Sequence, residues 1–215
     1  VTAHPPLFEE LPTTPGGFGV VCPDPPWRFA SNSDERPGRN ARRYYRTLTP
    51  AEIATLPLGE RMAKDSLCFL WIPGPFLAIG AHLPILKAWN FRPVAMGLTW
   101  IKLRRSLGAQ PNLFFTERDL FFGGGLTLRR NAEVCILARR GRPKRLAKDV
   151  FEIILAPVRA HSEKPDEAYR RIERYCAGPY LELFARRHRE NWICWGDQLP
   201  ADDGCGAALH RRAAE

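Results

Sequence analysis

Phe18-Gly19-Val20-Val21-Cys22-Pro23-Asp24-Pro25-Pro26-Trp27 is the stretch that decides how this chain reads. Residues 18–22 form a short apolar run, which predicts a buried strand. An acid, two prolines and a large aromatic follow at once, where the strand gives way to a loop. Open α/β sheets bind ligands at that place. The residue types suit an exocyclic amine on a flat base. Asp24 offers a carboxylate acceptor. Pro25 keeps its carbonyl while lacking a donor. The prolines fix φ, so the acceptors are set before a substrate arrives. Trp27 supplies a face on which a base could stack. Two acceptors on one amine would hold its nitrogen toward an electrophile.

The rest of the composition sets bounds on this reading. The chain has 215 residues and is 45% hydrophobic, enough for one domain with a full core. No apolar run is long enough to span a membrane, and residues 1–15 lack a basic-then-apolar leader pattern. The six cysteines, Cys22, Cys68, Cys135, Cys176, Cys194 and Cys205, show no C-x-x-C spacing, so no metal site is expected. Four of them lie in apolar runs and read as reduced core residues, which predicts a cytoplasmic protein. Net charge is +9, from 26 Arg and 6 Lys against 23 acids. Arg favours bidentate phosphate contacts and stacking. One cluster, with Arg28, Arg42, Arg43 and Arg46, directly follows Trp27. A second runs from Lys102, Arg104 and Arg105 through Arg129 and Arg130 to Arg139, Arg140, Arg142, Lys144, Arg145 and Lys148. Together they predict a nucleic-acid surface.

Strands are expected over 66–72, 94–102, 132–138, 151–155, 180–184 and 192–195. Thr49-Pro50-Ala51-Glu52 is a helix start with a capping box. Helices are expected over 75–89, kinked at Pro84, and over 165–176. Residues 28–46 and 103–130 read as long basic loops beside the motif. Gly123-Gly124-Gly125 lacks the phosphate-loop pattern and reads as a hinge or a point of close backbone approach. Strands alternating with helices predict an α/β fold with a mostly parallel sheet. The expected division is an extension at 1–17, one domain at 18–198 and a tail at 199–215.

Several motifs stand in a characteristic order. They are Val20–Trp27, Phe69-Leu70-Trp71-Ile72, Trp100-Ile101-Lys102, Asn131–Cys135, Glu163–Tyr169, Ile172-Glu173-Arg174, Leu181–Arg186 and Trp192–Gln198. In this order they resemble the MT-A70 family of adenine N6-methyltransferases, in a bacterial or phage form. The resemblance implies a Rossmann-like, S-adenosylmethionine-dependent methyltransferase fold with the catalytic motif ahead of the cofactor segment. It implies a catalytic site of Asp24, Pro25, Pro26 and Trp27. It implies that Lys164 meets the cofactor carboxylate and Glu182 the ribose hydroxyls. Arg186 and His188 would line the same pocket, and Asp197 and Gln198 would hold the ribose or adenine end. Asp197 departs from the family, which usually has Asn there.

The expected activity is therefore methyl transfer from S-adenosylmethionine to adenine N6 in nucleic acid, with the target base unstacked into the pocket. Arg28, Arg42, Arg43, Tyr45, Lys102, Arg104 and Arg105 are the expected nucleic-acid contacts. DNA is favoured, because the sequence shows no added RNA-binding module. An RNA methyltransferase and a catalytically silent nucleic-acid-binding subunit remain as alternatives. A homodimer or heterodimer is compatible with either. No metal is required.

Overall fold

Alternating burial along the central strands sets the layers of the molecule. In Val20-Val21-Cys22 and in Leu67-Cys68-Phe69-Leu70-Trp71-Ile72, successive side chains enter two different core clusters. A strand whose side chains are buried on both faces must lie in the middle of a sandwich of helices. In the computed structural model of the protein, which describes residues 11–29, 46–107, 116–124, 128–159 and 163–200, these runs are the two central strands.

The strands are β1 (Phe18–Pro23), β2 (Met62–Ile72), β3 (Arg92–Leu103), β4 (Ala132–Arg140), β5 (Ile153–Pro157), β6 (Tyr180–Leu183) and β7 (Trp192–Trp195). The helices are α1 (Pro50–Ala54), α2 (Gly74–Ala78), α3 (His82–Ala88) and α4 (Asp166–Tyr175). The seven strands form one sheet in the order β5-β3-β4-β2-β1-β6-β7. Every pairing is parallel except those of β4, which runs against both β2 and β3. One core cluster joins this sheet to Ile53, Ile85, Leu86 and Trp89, from α1, α3 and the turn after α3. The other joins it to Ala168, Tyr169 and Ile172 of α4. The architecture is a three-layer, Rossmann-like α/β sandwich, as the strand-helix alternation predicts.

Two features place a site. From β1 the chain moves to β2 on one side, and much later returns to β6 on the other. The C-terminal end of β1 is thus a switch point, where loops diverge and leave a crevice. Asp24 stands there, with its backbone N–H donating to Leu183 O at the end of β6 (3.2 Å). Because β4 is reversed, its first residues lie at this same end of the sheet, with Val134 opposite Ile72 and Glu133 opposite Trp100.

The structure also revises several expected boundaries. β2 begins at Met62, not 66, because Phe18 pairs with Met62 across a bulge and the backbone ladder needs no apolar side chains. The 75–89 helix is two helices, separated by Gly80 at φ +69°. Pro84 lies in the first turn of α3, where its missing N–H has no intrahelical partner to lose, so it causes no kink. The Thr49 capping box forms: Glu52 N–H donates to Thr49 Oγ1 (3.2 Å) and Thr49 N–H to Glu52 Oε2 (2.7 Å). Residues 103–130 are not loop throughout, since short 3-10 turns form at Arg105–Leu107 and Glu117–Asp119. Cys22, Cys68, Cys135 and Cys176 are free and buried. No described helix is long and apolar enough to cross a membrane.

Pro84→Ala should change unfolding free energy by less than about 1 kcal/mol, because the proline is in a first turn. Stabilisation by about 3 kcal/mol in urea titration would instead indicate a proline straining a helix interior.

Candidate active site

The Asp24-Pro25-Pro26-Trp27 loop is held from behind. Trp27 is buried, at 5% exposure, and its indole N–H donates to Trp71 O (3.2 Å). Its ring packs against Phe76, with centroids 4.9 Å apart. Trp27 also forms a bridge with Leu48, whose N–H donates to Pro26 O (2.7 Å). Trp27 is therefore mainly an anchor in the core. The more open aromatic in this cavity wall is Phe29, which meets Phe76 edge-on at 5.0 Å, with the Arg130 guanidinium 5.8 Å from its ring centroid. The Pro25 carbonyl accepts the Trp27 N–H (2.9 Å), so one of its two lone pairs is already engaged.

A charge network crosses the floor of the site. Lys164 is buried, with Nζ 2.5 Å from Asp24 Oδ2 and 3.1 Å from Glu133 Oε2. Lys102 donates to Glu133 Oε1, and its ammonium lies 5.2 Å from the Trp100 ring centroid. Burial works against charge on Glu133, but the Lys164 and Lys102 ammonium groups outweigh it and hold its carboxyl down at about 2. Burial likewise opposes the charge on Lys164, and Asp24 and Glu133 reverse this, holding it well above the ordinary lysine range.

Two cavities open beside this network. One, of about 270 Å³, is lined by Asp24, Pro25, Pro26, Phe29, Trp71, Glu133 and Lys164, among others. The second, of about 310 Å³, is lined by Asp24, Pro26, Arg46, Phe184, Ala185, Arg186, Asp197 and Gln198. Asp24, Pro26 and Arg186 line both. The second cavity follows from a sharp turn after β6. Phe184 takes φ +63°, a strained value for an aromatic residue, and Ala185 N–H donates to Trp195 O (2.9 Å).

The sequence model of the MT-A70 family matches residues 18–198. The chain belongs to the MT-A70 family. It is 34% identical over 191 residues to the N(6)-adenosine-methyltransferase MT-A70-like protein of Drosophila melanogaster, covering 87% of this chain and 28% of that protein. It is 32% identical over 188 residues to the human N(6)-adenosine-methyltransferase catalytic subunit METTL3, covering 86% and 28%. It is 27% identical over 212 residues to the Type II methyltransferase M.MunI of a Mycoplasma species, covering 91% and 84%. The chain thus spans little more than a quarter of the first two relatives.

The structure distributes this MT-A70 chain's expected site residues unevenly. Asp24, Pro25, Pro26, Trp27, Lys164, Arg186, Asp197 and Gln198 line one cavity or both. Glu182 is among the lining residues of neither. It is buried against α4, accepting from Tyr169 Oη (2.5 Å) and Arg189 Nε (3.4 Å), and burial raises its pKa despite both donors. His188 also lies apart, with Nε2 3.3 Å from Pro200 O. Arg28, expected as a nucleic-acid contact, has structural partners and keeps about a third of its side chain exposed (33%). It donates to Thr47 O (2.8 Å) and pairs with Glu52 (3.2 Å), bracing the stem of the loop. Lys102 is turned into the site by Glu133. Arg104 and Arg105 are exposed on the rim, where they donate to Leu120 O and Arg159 O. Arg42, Arg43 and Tyr45 lie outside the described residues.

Sequence reading gave no role to Glu133, Phe29 or Arg189. Glu133 had a signal, being an acid inside the otherwise apolar run 132–138. Arg189 had none: its Nη1 donates to Asp166 Oδ1 (2.9 Å), and its guanidinium lies 3.3 Å from the Tyr169 ring centroid. It fastens residues 185–190 to the start of α4. Burial opposes the Asp166 charge, but Arg189, Arg159 and Arg187 hold its carboxyl down at about 2.

Glu133→Gln should lower stability at pH 7 by about 2 kcal/mol, since it leaves two buried or half-buried ammonium groups short of a partner. The folded-state pKa of Glu133 is depressed, so its contribution is complete above 4.5 and is lost as pH falls toward about 2. Urea unfolding across that window should show the gap between variant and wild type closing. A gap that does not depend on pH would contradict the ion-pair assignment.

Proposed function

We propose that this protein transfers a methyl group to the N6 amine of adenine in nucleic acid, with DNA the favoured substrate and S-adenosylmethionine the donor. One observation carries the reading. Asp24 is shared by two cavities of unlike character, so a group bound in each would meet at its carboxylate. The 310 Å³ cavity fits the donor by its chemistry, since Phe184 and Ala185 give it apolar wall and Asp197, Gln198 and Arg186 give it hydrogen-bonding groups. When bound, S-adenosylmethionine supplies an electrophilic methyl on a positively charged sulfur.

The chain's own residues do the remaining work. The other cavity, walled by Phe29 and Trp71 beside the Asp24 loop, receives the unstacked base. Phe29 offers an accessible ring for stacking. Asp24 accepts a hydrogen bond from the amine, and the remaining lone pair of Pro25 O accepts another. These contacts point the nitrogen at the second cavity and favour the positive charge that develops on it. The proton that leaves N6 passes to the Asp24 carboxylate and on to water. Lys164, which lines the base cavity, fixes the Asp24 carboxylate by its ion pair. Glu182, tied to Tyr169 and Arg189 and lining neither cavity, braces the end of β6 from which Phe184 and Ala185 enter the donor cavity.

DNA is favoured because the similarity to the Type II methyltransferase runs over 84% of that protein's length. The higher identity to named adenosine methyltransferases, 34% and 32%, supports RNA as the second reading.

Incubation with labelled S-adenosylmethionine and matched DNA and RNA pools, followed by nucleoside mass spectrometry, tests this. N6-methylated adenine is expected in the DNA pool. Asp24→Ala should lower transfer by roughly 10²–10³-fold, with donor binding by calorimetry retained. Product in RNA alone would establish the second reading. Donor binding without product in either pool would indicate a silent subunit.

A further inference from the structure

The second basic cluster of the sequence is not one surface. Lys102, Arg104 and Arg105 lie at the end of the sheet that carries Asp24, whereas Arg139 and Arg140 end β4 at the opposite pole. From Glu133 to Arg139 the strand covers ~20 Å. At that far pole a cavity of about 390 Å³ is lined by Lys87, Arg92, Arg139 and Arg140, among others.

The charges there are held together at a cost. Arg92 and Arg139 are direct cross-strand partners in the β3–β4 ladder. Like charges directly opposite each other destabilise a sheet pair. Several cations elsewhere are neutralised: Arg159, Arg187 and Arg189 converge on Asp166, Arg174 pairs with Asp149, and Arg171 with Glu167. Lys87, Arg92 and Arg139 form no ion pair or side-chain hydrogen bond with another described residue. Arg140 donates only to a neutral peptide oxygen, Gly59 O (2.6 Å), so its charge is not cancelled. The nearby acid, Asp65, is engaged by the Arg142 backbone N–H (2.7 Å).

The positive surface is long as well as dense. Lys87 ends the α3 layer, and Arg92 and Arg139 belong to the sheet. The following loop exposes Arg142, Lys144, Arg145 and Lys148, and passes beneath α4, where Leu146 N–H donates to Tyr175 O (2.8 Å). The stripe therefore crosses all three layers, a width of ~20 Å at about 10 Å between layers. A single phosphate would occupy one point on such a stripe. A polyanion with charges at regular spacing would occupy all of it, and arginine forks match phosphate oxygens two at a time.

We infer that the pole of the sheet opposite Asp24 is a second nucleic-acid surface, on which Lys87, Arg92 and Arg139 bind the phosphodiester backbone of substrate remote from the target base. This rests on the nucleic-acid reading of the site proposed above. Substrate contacting both poles must span at least ~20 Å, or about 6 nucleotide steps at 3.4 Å. The far pole thus discriminates substrates by length, and phosphate contacts carry no base information.

The test compares Arg92→Gln/Arg139→Gln and Arg92→Glu/Arg139→Glu with wild type on a 3-nucleotide and a 30-base-pair substrate containing adenine. For the long substrate, the glutamine pair should raise KM by ~10-fold at 0.1 M salt and reduce the slope of log binding constant against log salt by about 2. kcat, and both constants on the short substrate, should stay unchanged. The glutamate pair should show the larger KM effect. Melting temperature of the free glutamine variant should equal or exceed that of wild type, because a like-charge pair is relieved, which separates lost binding from lost folding. Equal KM values and salt slopes for variant and wild type on the long substrate would overturn the proposal. So would polyglutamate of matched charge binding wild type as tightly as the duplex and losing as much in the variant, which would mark the surface as one for an acidic protein. If wild type methylates neither length, the proposed activity fails. Fluorescence anisotropy of a labelled 30-base-pair duplex would then still read the far pole, with loss of binding in the variants supporting it and no loss overturning it.

Discussion

The buried ammonium of Lys164 is the constraint around which the site is arranged. Moving an ammonium from water into a protein interior costs several kcal/mol unless it is closely paired. Here the compensation comes from two carboxylates on different strands, Asp24 after β1 and Glu133 at the start of β4. The arrangement works only because β4 is reversed. A parallel strand in that position would bring its C-terminal end to the site and carry Glu133 to the other pole. The one departure from parallel pairing is thus what brings the second carboxylate to the lysine.

A chain of four charges also limits what each member can do. Asp24 and Glu133 are offset by Lys164 and Lys102, so the cluster carries no net formal charge. An adenine base is neutral, and the sulfur of the proposed donor is positive. A strongly cationic floor would repel that donor, and a strongly anionic one would compete with Asp24 for the amine. The excess of positive charge therefore resides outside this cluster, and among the described residues cations lie on the rim and at the far pole. In the proposed function, attraction of a polyanion and handling of a neutral base fall to different parts of the surface.

Much of this was legible from residues 18–27 and from the apolar runs. Period-two burial on both faces, the prolines that end β1, and the Thr49 capping box are local properties, and local properties survive in a sequence. What the sequence does not show has a common physical origin in tertiary partners. Trp27 reads as a stacking face until Trp71 and Phe76 are seen to claim it. Arg28 reads as a phosphate contact, and its second role, bracing the loop stem through Glu52, shows only in the fold. Pro84 reads as a kink because its distance from Pro75 suggests one helix, while Gly80 makes two. Glu133 could have been singled out, because an acid inside an apolar strand needs a buried partner. Arg189 could not, since its partners Asp166 and Glu182 come from two other elements.

The basic clusters show most clearly how order in sequence misleads. Residues 102–148 present cations at short intervals, which suggests one surface. A strand intervenes, and a strand of nine residues separates its ends by ~26 Å. Cations of one sequence cluster thus lie at opposite poles, while Arg139 converges with Lys87 and Arg92, which precede it by about fifty residues. A charge held beside a carboxylate stabilises the fold at a small net gain. A charge held beside another of the same sign does not, and the proposed polyanion is what would offset that cost at Arg92 and Arg139. Pairing, more than sequence density, is what distinguishes cations that serve the fold from cations directed at a ligand.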